Sequence, residues 1–141
     1  MSEMSPLWKK MNLKDQEAIV VLNAPESFEA ELKKTGGAKV VRDVSKVKRV
    51  TFAVAFVVTQ ADLDAAASAL SAKAEGDAVL WFAYPKGTSR KYKCEFNRDN
   101  GWGELEKAGF ETVRAVAIDE DWTGLRFRRG QFVKSRSAPR K

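Results

Sequence analysis

Histidine is absent from this chain, and cysteine occurs once, as Cys94. Without histidine there is no Ser-His-Asp or Cys-His nucleophile system and no imidazole metal ligand. A single thiol cannot close an internal disulfide or form a Cys-x-x-Cys redox or zinc site. General base work would fall to Asp, Glu, Lys or Tyr, which weighs against hydrolase chemistry. No catalytic residue or metal ligand is assigned on these grounds, and no cofactor is expected. Long apolar runs are also missing. The longest, Val50 to Val58, is interrupted by Thr51 and is far short of the roughly 20 residues a membrane span needs. The first ten residues carry no apolar run ahead of a small-residue cleavage site. A soluble, cytoplasmic protein with no membrane partner is the expectation.

What is present is enough for one core. At 141 residues, with 44% hydrophobic content and four tryptophans, the chain fits a single domain. A domain of this size buries about two-thirds of its unfolded surface. The net charge of +6 is unevenly placed: Arg126, Arg128, Arg129, Lys134, Arg136, Arg140 and Lys141 lie after residue 125 with no acid among them, which leaves residues 1–125 at −1. The expected organisation is an α/β domain over 1–133 and a disordered basic tail over 134–141. Such a tail holds nucleic acid by neutralising phosphates, and Arg128, Arg129, Lys134 and Arg136 are the candidates. A tail charged only for solubility is the alternative.

Periodicity gives the elements. Residues 1–16 show none. Ala18 to Asn23 reads as a buried strand, and Asn23-Ala-Pro-Glu26 as a helix start with Asn23 as N-cap. Phe28 and Leu32 share one face of that helix, and Thr35-Gly-Gly37 ends it. Lys39 to Val44 is a short strand. Arg49 to Val58 is apolar on both faces, as in strands covered by helices on both sides. Thr59 to Asp62 matches a capping box, and Leu63, Ala66, Ala67, Leu70 and Ala74 form a helical stripe. A strand over 78–84, a loop over 85–98, a helix from about Asn100 to Lys107 and a strand over 112–118 follow. Gly124 to Val133 alternates apolar residues with arginines, which suits an edge strand.

Strands alternating with helices imply a mixed, mostly parallel sheet with helices on both faces and an antiparallel C-terminal strand pair. The order resembles the second half of a Rossmann-type methyltransferase, shortened. The motifs Pro85-Lys86, Ala108-Gly109-Phe110 and Asp121-Trp-Thr-Gly-Leu-Arg126 resemble a group of small bacterial proteins known as domain of unknown function 3052. The resemblance covers about residues 50–130. It implies a bacterial α/β protein and carries no established activity with it.

Three places could take a ligand. The first is the loop after the 78–84 strand, because open parallel sheets bind ligands beyond the carboxyl ends of their strands. Lys86, Thr88, Ser89 and Arg90, with Lys91, Lys93 and Arg98, give it a positive field suited to an anionic ligand or protein. A solvated basic loop is the alternative. The second is Asp119 to Arg126. Asp121 would pair with Arg126 or Lys86; alternatively Asp121 accepts from a turn backbone, Gly124 supplies a permissive dihedral and Trp122 caps the core. The third is the turn after the first strand. A dinucleotide or methyl-donor site would carry Gly-x-Gly there, and Asn23, Ala24 and Pro25 stand instead. Aromatics Trp81, Phe82, Tyr84, Tyr92, Phe96 and Trp102 surround the basic loop; stacking on bases and packing in the core both account for them.

The function expected is a non-catalytic binding or regulatory module for an anionic partner at the 85–98 loop. The alternatives are a degenerate methyltransferase-like enzyme and a nucleic-acid accessory protein acting through the tail.

Overall fold

The structure is a computed structural model that describes residues 6–14, 16, 18–86 and 101–130. The described chain runs α1 (Pro6–Lys10), β1 (Ala18–Leu22), α2 (Glu29–Leu32), β2 (Lys39–Val41), β3 (Val50–Phe56), α3 (Gln60–Lys73), β4 (Ala74–Pro85), α4 (Gly103–Lys107), β5 (Phe110–Ala117) and β6 (Trp122–Arg129). Single 3-10 turns occupy Glu26–Phe28 and Val44–Lys46.

The strands form one sheet in the order β2-β1-β3-β4-β6-β5. β2, β1, β3 and β4 pair in parallel. β6 runs antiparallel to β4 on one side and to β5 on the other. The mixed, mostly parallel α/β sheet with an antiparallel C-terminal pair is therefore the architecture. The expected edge strand is displaced: β6 lies inside the sheet and β5 forms the edge. Leu125 and Phe127 are buried on one side, while Arg126 and Arg128 point to the other, where only part of the face is covered. That half-wet face produced the alternation that reads as an edge.

The core has two layers separated by the sheet. Side chains alternate along β3, so Phe52, Val54 and Phe56 face one layer and Ala53, Ala55 and Val57 face the other. The small residues meet α3, whose Ala66 and Ala67 allow close approach; α4 adds Leu105, with Trp102 beside it. The large residues meet Trp8, Met11, Leu13, Phe28 and Leu32. Residues 6–13, which showed no periodicity, thus form a helix and a tail that cover the sheet. Trp8 is fully buried, its ring packs edge-on to Phe28 at 5.6 Å, and its Nε1 donates to the Glu31 carbonyl at 2.7 Å.

Element boundaries differ from the expected ones where turns and caps intervene. Asn23 does not cap a helix. The chain makes a 3-10 turn after Pro25 with no side-chain cap, and only then α2. The second strand stops at Val41, because Asp43 accepts from the Ser45 backbone and caps the Val44–Lys46 turn. β4 begins at Ala74 rather than Ala78, directly on leaving α3. The fourth helix starts at Gly103, after Trp102. The Thr59–Asp62 capping box is formed as expected. Among the described residues no helix is long and apolar enough to cross a membrane.

Candidate functional site

In an open parallel sheet the ligand crevice lies where neighbouring strands connect in opposite directions, outside their carboxyl ends. Here β1 leads outward to β2, and the chain then returns to β3 on the other side of β1. The switch point is between β1 and β3. Leu22 and Asn23 end one side of it, and Phe56 to Thr59 end the other.

Asn23 occupies that crevice. Its φ is +58°, a left-handed value that a turn-forming Asn tolerates. Its side-chain Nδ2 donates to the Phe56 carbonyl at 3.4 Å, across the gap between the two strand ends. Beside it, among the described residues, a pocket of about 200 Å³ is bounded by Leu22, Asn23, Asp62, Ala65, Ala66 and Ala69. Small-molecule sites enclose about 300–1,000 Å³.

A nucleoside-bearing cofactor in this position would also need an acid about 20 residues beyond the turn, at the end of the next strand, for the ribose hydroxyls. Asp43 holds that position and was not singled out from sequence, although its spacing from Asn23 was the available signal. Its Oδ1 is taken by the Ser45 backbone N–H at 2.9 Å and the Ser45 hydroxyl at 2.8 Å. These two bonds, the backbone one first, hold the Asp43 carboxyl below its ordinary value. The acid is present but turned into a local cap, and the glycine turn is replaced by Asn23. The described residues do not fit S-adenosylmethionine or a dinucleotide.

Lys86 lies at the carboxyl end of β4, and its backbone N–H donates to the Asp121 carbonyl at 2.8 Å. That bond joins the start of the basic loop to the β5–β6 turn. Thr88, Ser89 and Arg90 lie outside the described residues, as do Tyr92, Phe96, Lys134 and Arg136. In the turn itself Asp119 is a side-chain acceptor: its Oδ1 takes the N–H of Asp121 at 2.8 Å and of Trp122 at 3.0 Å. An aspartate accepting two residues ahead forms its own turn, and either acid in Asp119-Glu-Asp121 could have done so.

Arg126 does not join Lys86 and Asp121. It pairs with Trp81 along the β4–β6 ladder, whereas Trp122 pairs with Pro85. Four strand steps separate those positions, about 13 Å. Gly124 has no positive φ; it is there for close approach, since a Cβ would stand 3.2 Å from both Ile118 Cδ1 and Trp81 Cε3. Arg128 and Arg129 are engaged within the fold. Arg128 binds both oxygens of Asp77, at 2.8 and 2.7 Å. Arg129 donates to the Ala74 carbonyl at 2.7 Å and stacks over Phe110 at 4.8 Å. Trp81, Phe82 and Trp102 are buried core residues.

No protein-family model matches this chain, and no curated protein matches it by sequence. Solved structures do match. A provisionally assigned type 11 methyltransferase from Sulfolobus solfataricus superposes with a TM-score of 0.60 at 10% identity, over 88% of this chain and 89% of that one. The magnesium protoporphyrin IX methyltransferase from Synechocystis, solved with bound S-adenosylmethionine, gives 0.53 at 12% identity, over 87% and 76%. The N-methyltransferase NodS from Bradyrhizobium japonicum gives 0.51 at 12%, over 87% and 92%. At these identities the likeness shows the fold alone. The chain has the Rossmann-like α/β fold of S-adenosylmethionine-dependent methyltransferases.

Proposed function

We propose that this chain is a non-catalytic binding module built on a methyltransferase-like fold, and that an anionic partner engages it beside Lys86. The observation that carries the reading is Asn23 bonded across the β1/β3 crevice to Phe56, with a pocket of about 200 Å³ beside it among the described residues. The position of Lys86 at a strand end, followed in sequence by Arg90, Lys91 and Lys93, supports a partner of negative charge. The likeness to methyltransferases favours a second reading, in which the crevice opens and the enzyme chemistry survives.

Thermal unfolding with added ligands separates the two, because a ligand that binds only the folded state raises the midpoint. S-adenosylmethionine is expected to leave it unchanged. A short single-stranded DNA is expected to raise it in the wild type and not in Lys86→Ala. A shift with S-adenosylmethionine overturns the proposal and restores the enzyme reading. A DNA shift that survives Lys86→Ala but disappears when residues after Phe132 are removed moves the interaction to the basic tail.

A further inference from the structure

A second cavity lies away from the crevice, toward the amino half of β4. It encloses about 360 Å³ between the segment after α1 and the β4–β6 ladder. Its polar wall is Asn12, Lys14, Gln16, Asp77, Arg126 and Arg128. The volume falls within the range of about 300–1,000 Å³ typical of small-molecule sites.

Two atoms of this wall are buried without a hydrogen bond: Nε of Arg126, a donor, and Oδ1 of Asn12, an acceptor. Native proteins rarely leave such groups unsatisfied, and each one needs an explanation. Among the described residues, Arg126 also has no ion-pair partner. Asp77, the one carboxylate among the described residues of the wall, is bound on both oxygens by Arg128. Glu111, opposite Arg128 on β5, has its carboxylate beside Gly130 and is not part of the wall. Burial, then the nearby charge of Arg128, holds the Arg126 guanidinium below its ordinary value; Asp77 opposes this and Arg114 adds to it.

Among the described residues of the wall, Lys14, Arg126 and Arg128 against Asp77 leave two positive charges. A bridging water would satisfy the two orphaned atoms but not the charge. A phosphate dianion would satisfy the charge, and guanidinium groups present donors in the geometry phosphate oxygens accept. Asn12 Oδ1 requires in addition a ligand group that donates. We infer that this cavity binds a small hydroxylated organic phosphate, its phosphoryl group on Arg126 and Lys14 and one hydroxyl donating to Asn12 Oδ1. The inference is independent of the Lys86 site.

Isothermal titration of the full chain with inorganic phosphate and with ribose 5-phosphate tests it. Both should bind, ribose 5-phosphate more tightly. Arg126→Met should weaken both by about tenfold to a hundredfold, the worth of a charge-assisted hydrogen bond. Asn12→Gly suits the local φ of +68°; it should weaken ribose 5-phosphate and leave inorganic phosphate unchanged. Lys86→Ala should change neither. Absence of binding to both ligands, or full binding by a folded Arg126→Met, overturns the inference. So does loss in Lys86→Ala, which places the anion at the loop. If Arg126→Met does not fold, Asn12→Gly carries the test, and an equal effect on the two ligands there refutes the assigned pose.

Discussion

The indole Nε1 of Trp81 donates to the carbonyl oxygen of Met11 at 2.8 Å, and both residues are fully buried. The bond fastens the segment after α1 to the middle of the sheet, 70 residues away in sequence. It also fixes the wall from which Asn12 and Lys14 face Arg126.

Trp81→Phe removes the donor, leaves the Met11 carbonyl buried without a partner and opens space beside it. The expected loss is about 2–4 kcal/mol, combining an unsatisfied acceptor with a partial cavity. Urea unfolding reads it as a lower midpoint at unchanged slope. A loss well under 1 kcal/mol would mean that the N-terminal segment does not hold to the sheet through this bond.

Gly124→Ala places a methyl group 3.2 Å from Ile118 Cδ1 and Trp81 Cε3. Overpacking of this kind costs about 1–3 kcal/mol. The contact with Ile118 is to its terminal methyl, which Ile118→Val deletes. The double variant should therefore recover part of the loss, and a double-mutant cycle should show a favourable coupling between the two sites. Additive effects would show that Trp81 alone sets the limit.

Asp77 links pH to stability. The hydrogen bonds from Arg128, then its charge and that of Arg126, hold the Asp77 carboxyl below its ordinary value. A carboxyl lowered in the folded state contributes stability above its unfolded value, near 3.9, and loses it as pH falls through the lower folded value. The pair is partly exposed, with side-chain accessibilities of 29% and 37%. Screening therefore limits it to about 1 kcal/mol or less. Wild type should exceed Asp77→Asn by a constant margin between about pH 6 and pH 8, and the margin should shrink below about pH 4. Unfolding curves across that range check it; a margin unchanged at pH 3 removes Asp77 as the source.

Much of the fold is legible from the sequence because apolar run length and capping chemistry are local. The Val50–Val58 run and the Thr59–Asp62 box both placed elements that the structure contains. Residues 6–13 were not legible because α1 has only five residues; Trp8 and Met11 are placed by the sheet face they cover. The site was less legible for the same reason. Asn23 was read as a cap from its own neighbourhood, whereas its partner is the carbonyl of Phe56. Arg126 shares a sequence motif with Asp121, although the ladder register sets it four strand steps beyond Trp122 and the end of β4.

The position of β6 gives the last prediction. An arginine-rich alternating strand reads as an edge, but β6 is bonded to β4 and β5 on its two sides. From Trp122 to Phe127 each amide of β6 therefore points at one neighbouring strand or the other, while among the described residues β5 is paired with β6 alone. Along an antiparallel edge strand alternate amides face outward, without a ladder partner. Native-state hydrogen exchange should protect Trp122–Phe127 as strongly as the paired part of β4, and should show fast exchange at every second amide of Arg114–Ala117, beyond the register shift between Thr112 and Arg114. The reverse pattern, alternating exchange in β6 with a uniformly protected β5, would place β6 at the edge. It would also remove β5, and Arg114 with it, from the flank of the Arg126 cavity.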